Sequence, residues 1–335
     1  MTIATDQPSL RQATTVSVVV CAYSLERWDV LCEGIAAVGK QTVPPLETIL
    51  VIDNNPELLA RAESAFPSVK VRANSGRGSS EAKNTAMREA AGTILAFLDD
   101  DAVAAEDWLE KLTGPFDDPE VIGTSGNPLP RWKDGVKPTW LPVEFYWTIG
   151  CGYRGLPLTT TPIRNPIGAS MALKKSVVEA IGGFSPGLGP NMDAPRAHGG
   201  GEETELGIRA ARAFPAGKLL HVPAAVVDHE VPAGRTRFSY FRERCWLEGR
   251  AKAVLSEMVG IGDGLSSERS YTLKTLPTGV LRGVVDTLGG DPSGLQRAGA
   301  IVAGLAFTTA GYLWGRLVAR LTRRSARHRS DDSGR

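Results

Sequence analysis

Thr93-Ile94-Leu95-Ala96-Phe97-Leu98-Asp99-Asp100-Asp101 is the stretch that decides the fold of this chain. Its uncharged part reads as a strand buried on both faces, and three carboxylates follow at once. Adjacent carboxylates repel one another. Beside a core they call for a positive partner, and a hard divalent cation with oxygen ligands is the usual answer. A solvated acidic turn capping the next helix is the competing reading, and placement at the carboxyl end of a buried strand weighs against it.

Upstream, Val16 to Cys21 is a short β-branched run, Glu26 to Gln41 has helix-compatible spacing, and Thr48 to Ile52 is a second apolar run ending at Asp53. A third strand pattern surrounds Val69 to Arg72, and Ser79 to Ala91 reads as a helix rich in Ala, Glu, Lys and Arg. Alternating strands and helices predict an α/β fold with a mostly parallel sheet flanked by helices and right-handed crossovers. Ligands of such sheets sit beyond the carboxyl ends of the strands, where Tyr23, Asp53 and Asp99 to Asp101 all fall. Downstream, Gly126 to Pro166 breaks into Pro, Gly and aromatic residues, among them Trp132, Trp140 and Trp147, and reads as loop or irregular strand with many stacking surfaces. A strand at Ser170 to Leu173 and a helix at Lys175 to Ile181 follow, the helix stopped by Gly182-Gly183. A Gly/Pro-rich loop from Ser185 to Gly201 leads to a helix opening at Glu202 and reaching about Ala213.

The 335 residues suffice for one large domain with an appendage. A formal net charge of +1 provides no global field for nucleic acid, so no nucleic-acid partner is expected. Cys21, Cys32, Cys151 and Cys245 show no C-x-x-C spacing, which points to a reducing compartment. Met1 to Thr15 is polar and lacks the layout of a secretory signal, so residues 1–15 are expected to be a flexible terminus of a chain that is not exported.

V-S-V-V-V-C-A-Y at 16–23, V-I-D-N-N at 51–55, G-R-G-S-S-E-A-K-N at 76–84 and F-L-D-D-D at 97–101 together resemble the inverting glycosyltransferases of family 2, with their GT-A fold. Gly168-Ala169-Ser170-Met171-Ala172, Gly182-Gly183-Phe184 and Gly201-Glu202-Glu203-Thr204-Glu205-Leu206 are similar to the second half of that catalytic domain. The resemblance implies a nucleotide-binding half over 16–101 and an acceptor half over 102–234. Ala22 and Tyr23 would lie against the base of a nucleoside-diphosphate sugar, with a UDP-sugar the expected donor, and Asp53 would bond the base edge or ribose. An Asx turn is the local alternative for Asp53. Arg77 and Lys83, flanking Gly78, would neutralise the diphosphate, Lys83 standing where the family often has Arg.

Asp99 and Asp101 form the D-x-D pattern. Asp101 is the expected direct ligand of Mn²⁺ or Mg²⁺, with Asp99 as a second ligand, and Asp99 or Asp100 would contact sugar or ribose. His229 is a late candidate ligand that suits Mn²⁺ better than Mg²⁺. Glu202-Glu203 falls where the family usually shows Glu-Asp, whose second carboxylate is the general base. Glu203 is the expected base, with Glu202 the alternative; helix N-terminal residues favoured by the macrodipole are the bland reading of both. Trp147, Gly168, Ala169 and His198 are placed near the acceptor.

Residues 235–321 read as helical, and 322–335 as an Arg-rich tail. Arg235 to Lys252 mixes Arg and aromatic residues as an amphipathic helix would. Ala298 to Gly315 carries no charge and just reaches the length of a membrane span, before Arg316, Arg320, Arg323, Arg324, Arg327 and Arg329. A single crossing would put this Arg run outside, against the positive-inside bias, so interfacial or re-entrant placement at the cytoplasmic face of the plasma membrane is expected. Gly311-x-x-x-Gly315 would permit close helix packing, with a homo-oligomer as one outcome, and a buried amphipathic helix covering the catalytic domain is the competing reading of this segment. The expected acceptor is then a glycan or polyprenyl-linked cell-envelope hydroxyl. Two other classes compete: a nucleotidyltransferase, for which Cys21-Ala22-Tyr23-Ser24 is not the required Gly-rich loop, and a non-catalytic sugar-nucleotide-binding membrane scaffold.

Overall fold

Val16, Val18, Val20 and Ala22 of β1 (Val16–Ala22) point to one side of the sheet, and Val19 points to the other. β2 (Glu47–Ile52) and β4 (Ile94–Asp99) divide in the same way, so each strand is covered on both faces and needs no polar alternation. The computed structural model describes residues 14–186, 200–259 and 270–332. One core is closed by α1 (Trp28–Val38), α2 (Pro56–Ala65) and α4 (Trp108–Thr113). The opposite core is closed by α3 (Ser79–Glu89), α5 (Lys175–Ala180) and α6 (Glu202–Ala213).

The expected strands and helices form with their ends shifted by a few residues. α2 was not anticipated from the sequence; the Asn55 side chain accepts from the Leu58 N–H at 3.0 Å and Pro56 opens the helix, a local start signal.

β3 (Lys70–Ala73), β2, β1 and β4 lie side by side and parallel. The sheet then becomes mixed through β8 (Ser170–Lys174), β6 (Val121–Trp132), β9 (Lys218–Val231) and β5 (Ala102–Ala104), with β8 antiparallel to both of its neighbours. The Pro/Gly/aromatic stretch resolves into the bulged end of β6, with a register shift between Ser125 and Asn127, then a 3-10 turn at Val143–Ile149 and the short β7 (Thr161–Pro162), antiparallel to β9. Parallel register sets Ala22 against Ile52 and Cys21 against Asp99, so the chain leaves all three strands at one edge.

A third core joins the aromatic stretch to the C-terminal helices α7 (Phe238–Val259), α8 (Leu276–Leu288) and α9 (Ser293–Asp332). Phe145, Phe241, Leu276 and Ile301 meet there, and the buried Glu144 carboxylate accepts from Arg154 at 3.2 Å and from Arg282 of α8 at 2.9 Å. Among the described residues, Ser293–Leu321 is long and apolar enough to cross a membrane by length and composition. The expectation that Gly311 and Gly315 pair subunits is corrected. Their face is filled within the chain: a Cβ at Gly311 would lie 2.2 Å from the Trp246 carbonyl oxygen, and one at Gly315 would lie 2.7 Å from Ala253 Cβ.

Candidate active site

Asp99 ends β4, and the turn at Asp100-Asp101 leads into β5, which pairs Ala102 with His229 on β9. That register carries the His229 Nε2 to 3.1 Å from Asp101 Oδ1, although the two residues are far apart in sequence. The other ring nitrogen lies 3.9 Å from Cys151 Sγ. Gly150, at φ +83, lets its segment close over the imidazole, because a Cβ there would sit 2.9 Å from Cε1. Asp99, Asp101 and His229 each offer one ligand atom, all within 4.8 Å of one another. Asp101 Oδ1 is buried without a well-directed hydrogen-bond donor, so this mixed carboxylate and imidazole set fits a divalent cation.

Two guanidinium groups that the sequence did not single out for the metal site complete the cluster. Arg27, from the 3-10 turn Leu25–Arg27, is hydrogen-bonded to Asp100 and lies 3.2 Å from Asp101 Oδ2. Its guanidinium also stands 5.1 Å over the Tyr23 ring. Arg235 reaches the same Asp101 oxygen at 3.2 Å. The only sequence signal for either was a cation near a strand end, which is indistinguishable from a solvated charge.

The environment drives the three carboxyls apart. Burial pushes Asp100 up to about 7, against the pull of Arg27. Enclosure and the neighbouring Asp101 raise Asp99. Burial would also raise Asp101, but His229, Arg27 and Arg235 hold it well below the usual carboxylate range. Burial would lower His229; the Asp101 carboxylate outweighs this and holds the imidazole at about 10.

On the donor side, Asp53 fixes a loop. Its Oδ2 accepts the Gly78 N–H at 2.9 Å and its Oδ1 accepts from Asn74 Nδ2 at 2.7 Å, so Asp53 braces the 74–78 segment that carries the exposed Arg77. Ala22 and Tyr23 leave β1 beside it, with Tyr23 exposed. Lys83, expected at the diphosphate, is buried in α3 and turns toward α6: its Nζ is 2.7 Å from Glu203 Oε1 and 3.5 Å from Glu202 Oε1. Burial would lower the Lys83 pKa, but the two glutamates more than offset it, and the ammonium is held charged.

Gly200 and Gly201, at φ +133 and +102, turn the chain into α6 and place both glutamates in its first turn. Glu202 is buried, with Oε2 lacking a partner, and burial followed by the charge of Glu203 pushes its carboxyl up to about 7. Glu203 keeps 16% of its side chain exposed and lies against Gly168, where a Cβ would come within 2.3 Å of its Oε1. Ala169 borders the same place, its carbonyl accepting the Asp99 N–H at 3.3 Å. Trp147 is occupied elsewhere, its indole N–H donating to the Tyr271 hydroxyl at 3.0 Å and its ring lying against Phe145. The acceptor expectation for His198 lies outside the described residues.

The glycosyl transferase family 2 profile matches residues 17–182. A glucosyl-dolichyl phosphate glucuronosyltransferase of Haloferax volcanii is 31% identical over 321 residues, spanning 92% of this chain and 99% of its own length. A succinoglycan biosynthesis protein of Rhizobium meliloti is 26% identical over 258 residues, 72% of this chain and 74% of that one. Among solved structures, a mannosyltransferase from Pyrobaculum calidifontis in complex with GDP-Man and Mn²⁺ shares the fold with a TM-score of 0.53 at 18% identity, over 89% of this chain and 87% of that one. Near-complete coverage of the Haloferax relative, with the profile match over residues 17–182, establishes that this chain belongs to glycosyl transferase family 2 and is a nucleotide-sugar-binding glycosyltransferase.

Proposed function

We propose that the chain moves a sugar from a nucleoside-diphosphate sugar, with a UDP-sugar the preferred donor, to a hydroxyl of a lipid-linked glycan, by one inverting displacement. The observation that carries this reading is Glu203, a partly exposed carboxylate held between Lys83 and Gly168 at the crevice that contains Asp99, Asp101 and His229. Of the two glutamates, Glu202 is the buried one and is pushed toward its neutral form, which leaves Glu203 as the base. The acceptor oxygen attacks the anomeric carbon from the face opposite the diphosphate, its proton passes to Glu203, and the bond to the diphosphate oxygen breaks. Lys83 holds Glu203 in place beforehand through its 2.7 Å hydrogen bond to Oε1.

Asp101, Asp99 and His229 would hold Mn²⁺ or Mg²⁺, which supplies charge neutralisation to the departing diphosphate, and the imidazole favours Mn²⁺. Arg27 and Arg235 add positive charge at the same place, and the 74–78 loop braced by Asp53 presents Gly78 and Arg77 to the donor. Support for a lipid-linked acceptor comes from the Haloferax relative and from a cavity of about 350 Å³ walled by Trp132, Trp140, Val231 and Thr236, beside the turn that carries Arg235. The apolar C-terminal helix then belongs at the cytoplasmic face of the membrane, where nucleotide sugars and lipid carriers meet.

The test is nucleoside diphosphate release across UDP-, GDP- and dTDP-sugars with Mn²⁺, Mg²⁺ or EDTA, using wild type, Asp101→Ala and Glu203→Gln. Release that requires metal and is lost in both variants is expected. Donor binding without release, even with a lipid extract as acceptor, would overturn the reading in favour of a scaffold.

A further inference from the structure

We propose that the α8–α9 hairpin lies in the plane of one membrane leaflet, its outer face in lipid and α7 with the crevice on the aqueous side. The inference rests on the membrane placement proposed above and adds its geometry. α9 is inverted relative to a helix facing water. Apart from Ile301 and Phe307, which enter the aromatic core, its packed face is made of small residues: a Cβ at Gly304 would lie 2.4 Å from the Phe145 ring, and Cβ atoms at Gly311 and Gly315 would lie 2.2 and 2.7 Å from α7. Its outer face carries the large apolar ones, with Val302, Leu313 and Leu317 exposed by 58%, 62% and 49%. Leu281, Val284 and Leu288 of α8 are exposed in the same way. A helix in water buries its large apolar side chains, whereas small residues inward and large residues outward suit a helix between protein and lipid.

Charge identifies the occupant as a bilayer. No charged residue interrupts Ala298 to Gly315, Tyr312 and Trp314 stand at the end of this run, and the Arg run from Arg316 to Arg329 follows directly in the same helix. Aromatic residues prefer the headgroup boundary, and clustered arginines complement anionic lipid.

Two other placements conflict with the packing. In a perpendicular span, α7 would enter the hydrocarbon with α9, because it runs alongside from Gly304 to Gly315 and carries Arg242, Glu243, Arg244, Glu248, Arg250 and Lys252. Tip-first insertion would bury the hairpin turn, where Arg297 pairs with Asp286 and Asp291, each at 2.8 Å. In-plane docking requires neither.

Flotation of the Glu203→Gln protein with phosphatidylcholine vesicles containing phosphatidylglycerol reads docking independently of catalysis. The protein is expected to float, and Leu313→Glu/Leu317→Glu to cut the floated fraction about tenfold with unchanged Tm and donor binding. Leu313→Ala/Leu317→Ala, the milder change, should give an intermediate loss. A C-terminal tag should be cleaved by protease added outside sealed vesicles. Protection of the tag would show a span, undiminished flotation of the double-Glu protein would place docking elsewhere, and a lipid-free dimer broken by the same substitutions would show a second copy as the occupant. Each result overturns the proposal. Absence of sugar transfer in the wild type, with flotation as expected, would instead count against the proposed function alone.

Discussion

Gly168→Ala perturbs the proposed base without adding or removing a charged group. The added Cβ would fall 2.3 Å from Glu203 Oε1 and 2.9 Å from Cδ. The carboxylate must retreat by about 0.7 to 1.1 Å to reach even a tight contact of 3.0–3.4 Å. The moving group is the end of a flexible side chain, so the folding cost should stay near about 1 kcal/mol. Displacing a reacting group by about 1 Å costs on the order of 10²-fold in rate, or about 2.7 kcal/mol in barrier. The expected result is kcat about 10²-fold lower in a nucleoside diphosphate release assay, with donor affinity and Tm close to wild type. Adding Glu203→Asp shortens the side chain by one methylene and restores room, so the double variant should recover part of the loss in a non-additive cycle. A kcat within about threefold of wild type, at unchanged Tm, would refute Glu203 as the positioned base.

Three more outcomes follow from the same contacts. Glu202→Gln tests the buried carboxyl: its native pKa of about 7 lies above its ordinary 4.5, so its stabilising effect is full below about pH 4.5 and is lost as pH rises through about 7. The amide mimics the protonated form, so melting curves should show the variant more stable at pH 8 by about 1–3 kcal/mol, with the advantage gone below about pH 5. Asp101→Ala leaves His229, Arg27 and Arg235 without their shared carboxylate; it should cost about 3 kcal/mol and abolish Mn²⁺ binding as read by electron paramagnetic resonance. Gly311→Leu collides with the Trp246 carbonyl, which cannot swing aside; a loss of about 3 kcal/mol and faster proteolysis of the C-terminal helices should appear, with donor binding retained.

Much of the molecule was legible in local sequence because local rules set it. The runs at 16–21, 48–52 and 93–98 had to be buried strands, a parallel sheet had to gather their carboxyl ends, and Asp53 and Asp99 to Asp101 therefore had to share an edge. The glycines before Glu202 and after α5 marked helix ends because positive φ is open to glycine. Tertiary structure alone decided which charges meet. Nothing in the local sequence tied Arg27 or Arg235 to Asp100 and Asp101, and Lys83 read as a phosphate ligand until α3 and α6 packed together and gave it to Glu203. The choice between Glu202 and Glu203 depends on about one residue of helical rotation, which sends one side chain into the core and leaves the other at the crevice. Gly311 and Gly315 carried a packing signal with no address, and only the approach of α7 shows that the partner lies within the same chain. Periodicity and turn chemistry act over a few residues and can be read from the sequence, whereas ion pairing and close helix contact join residues about a hundred positions apart and exist only once the chain has closed on itself.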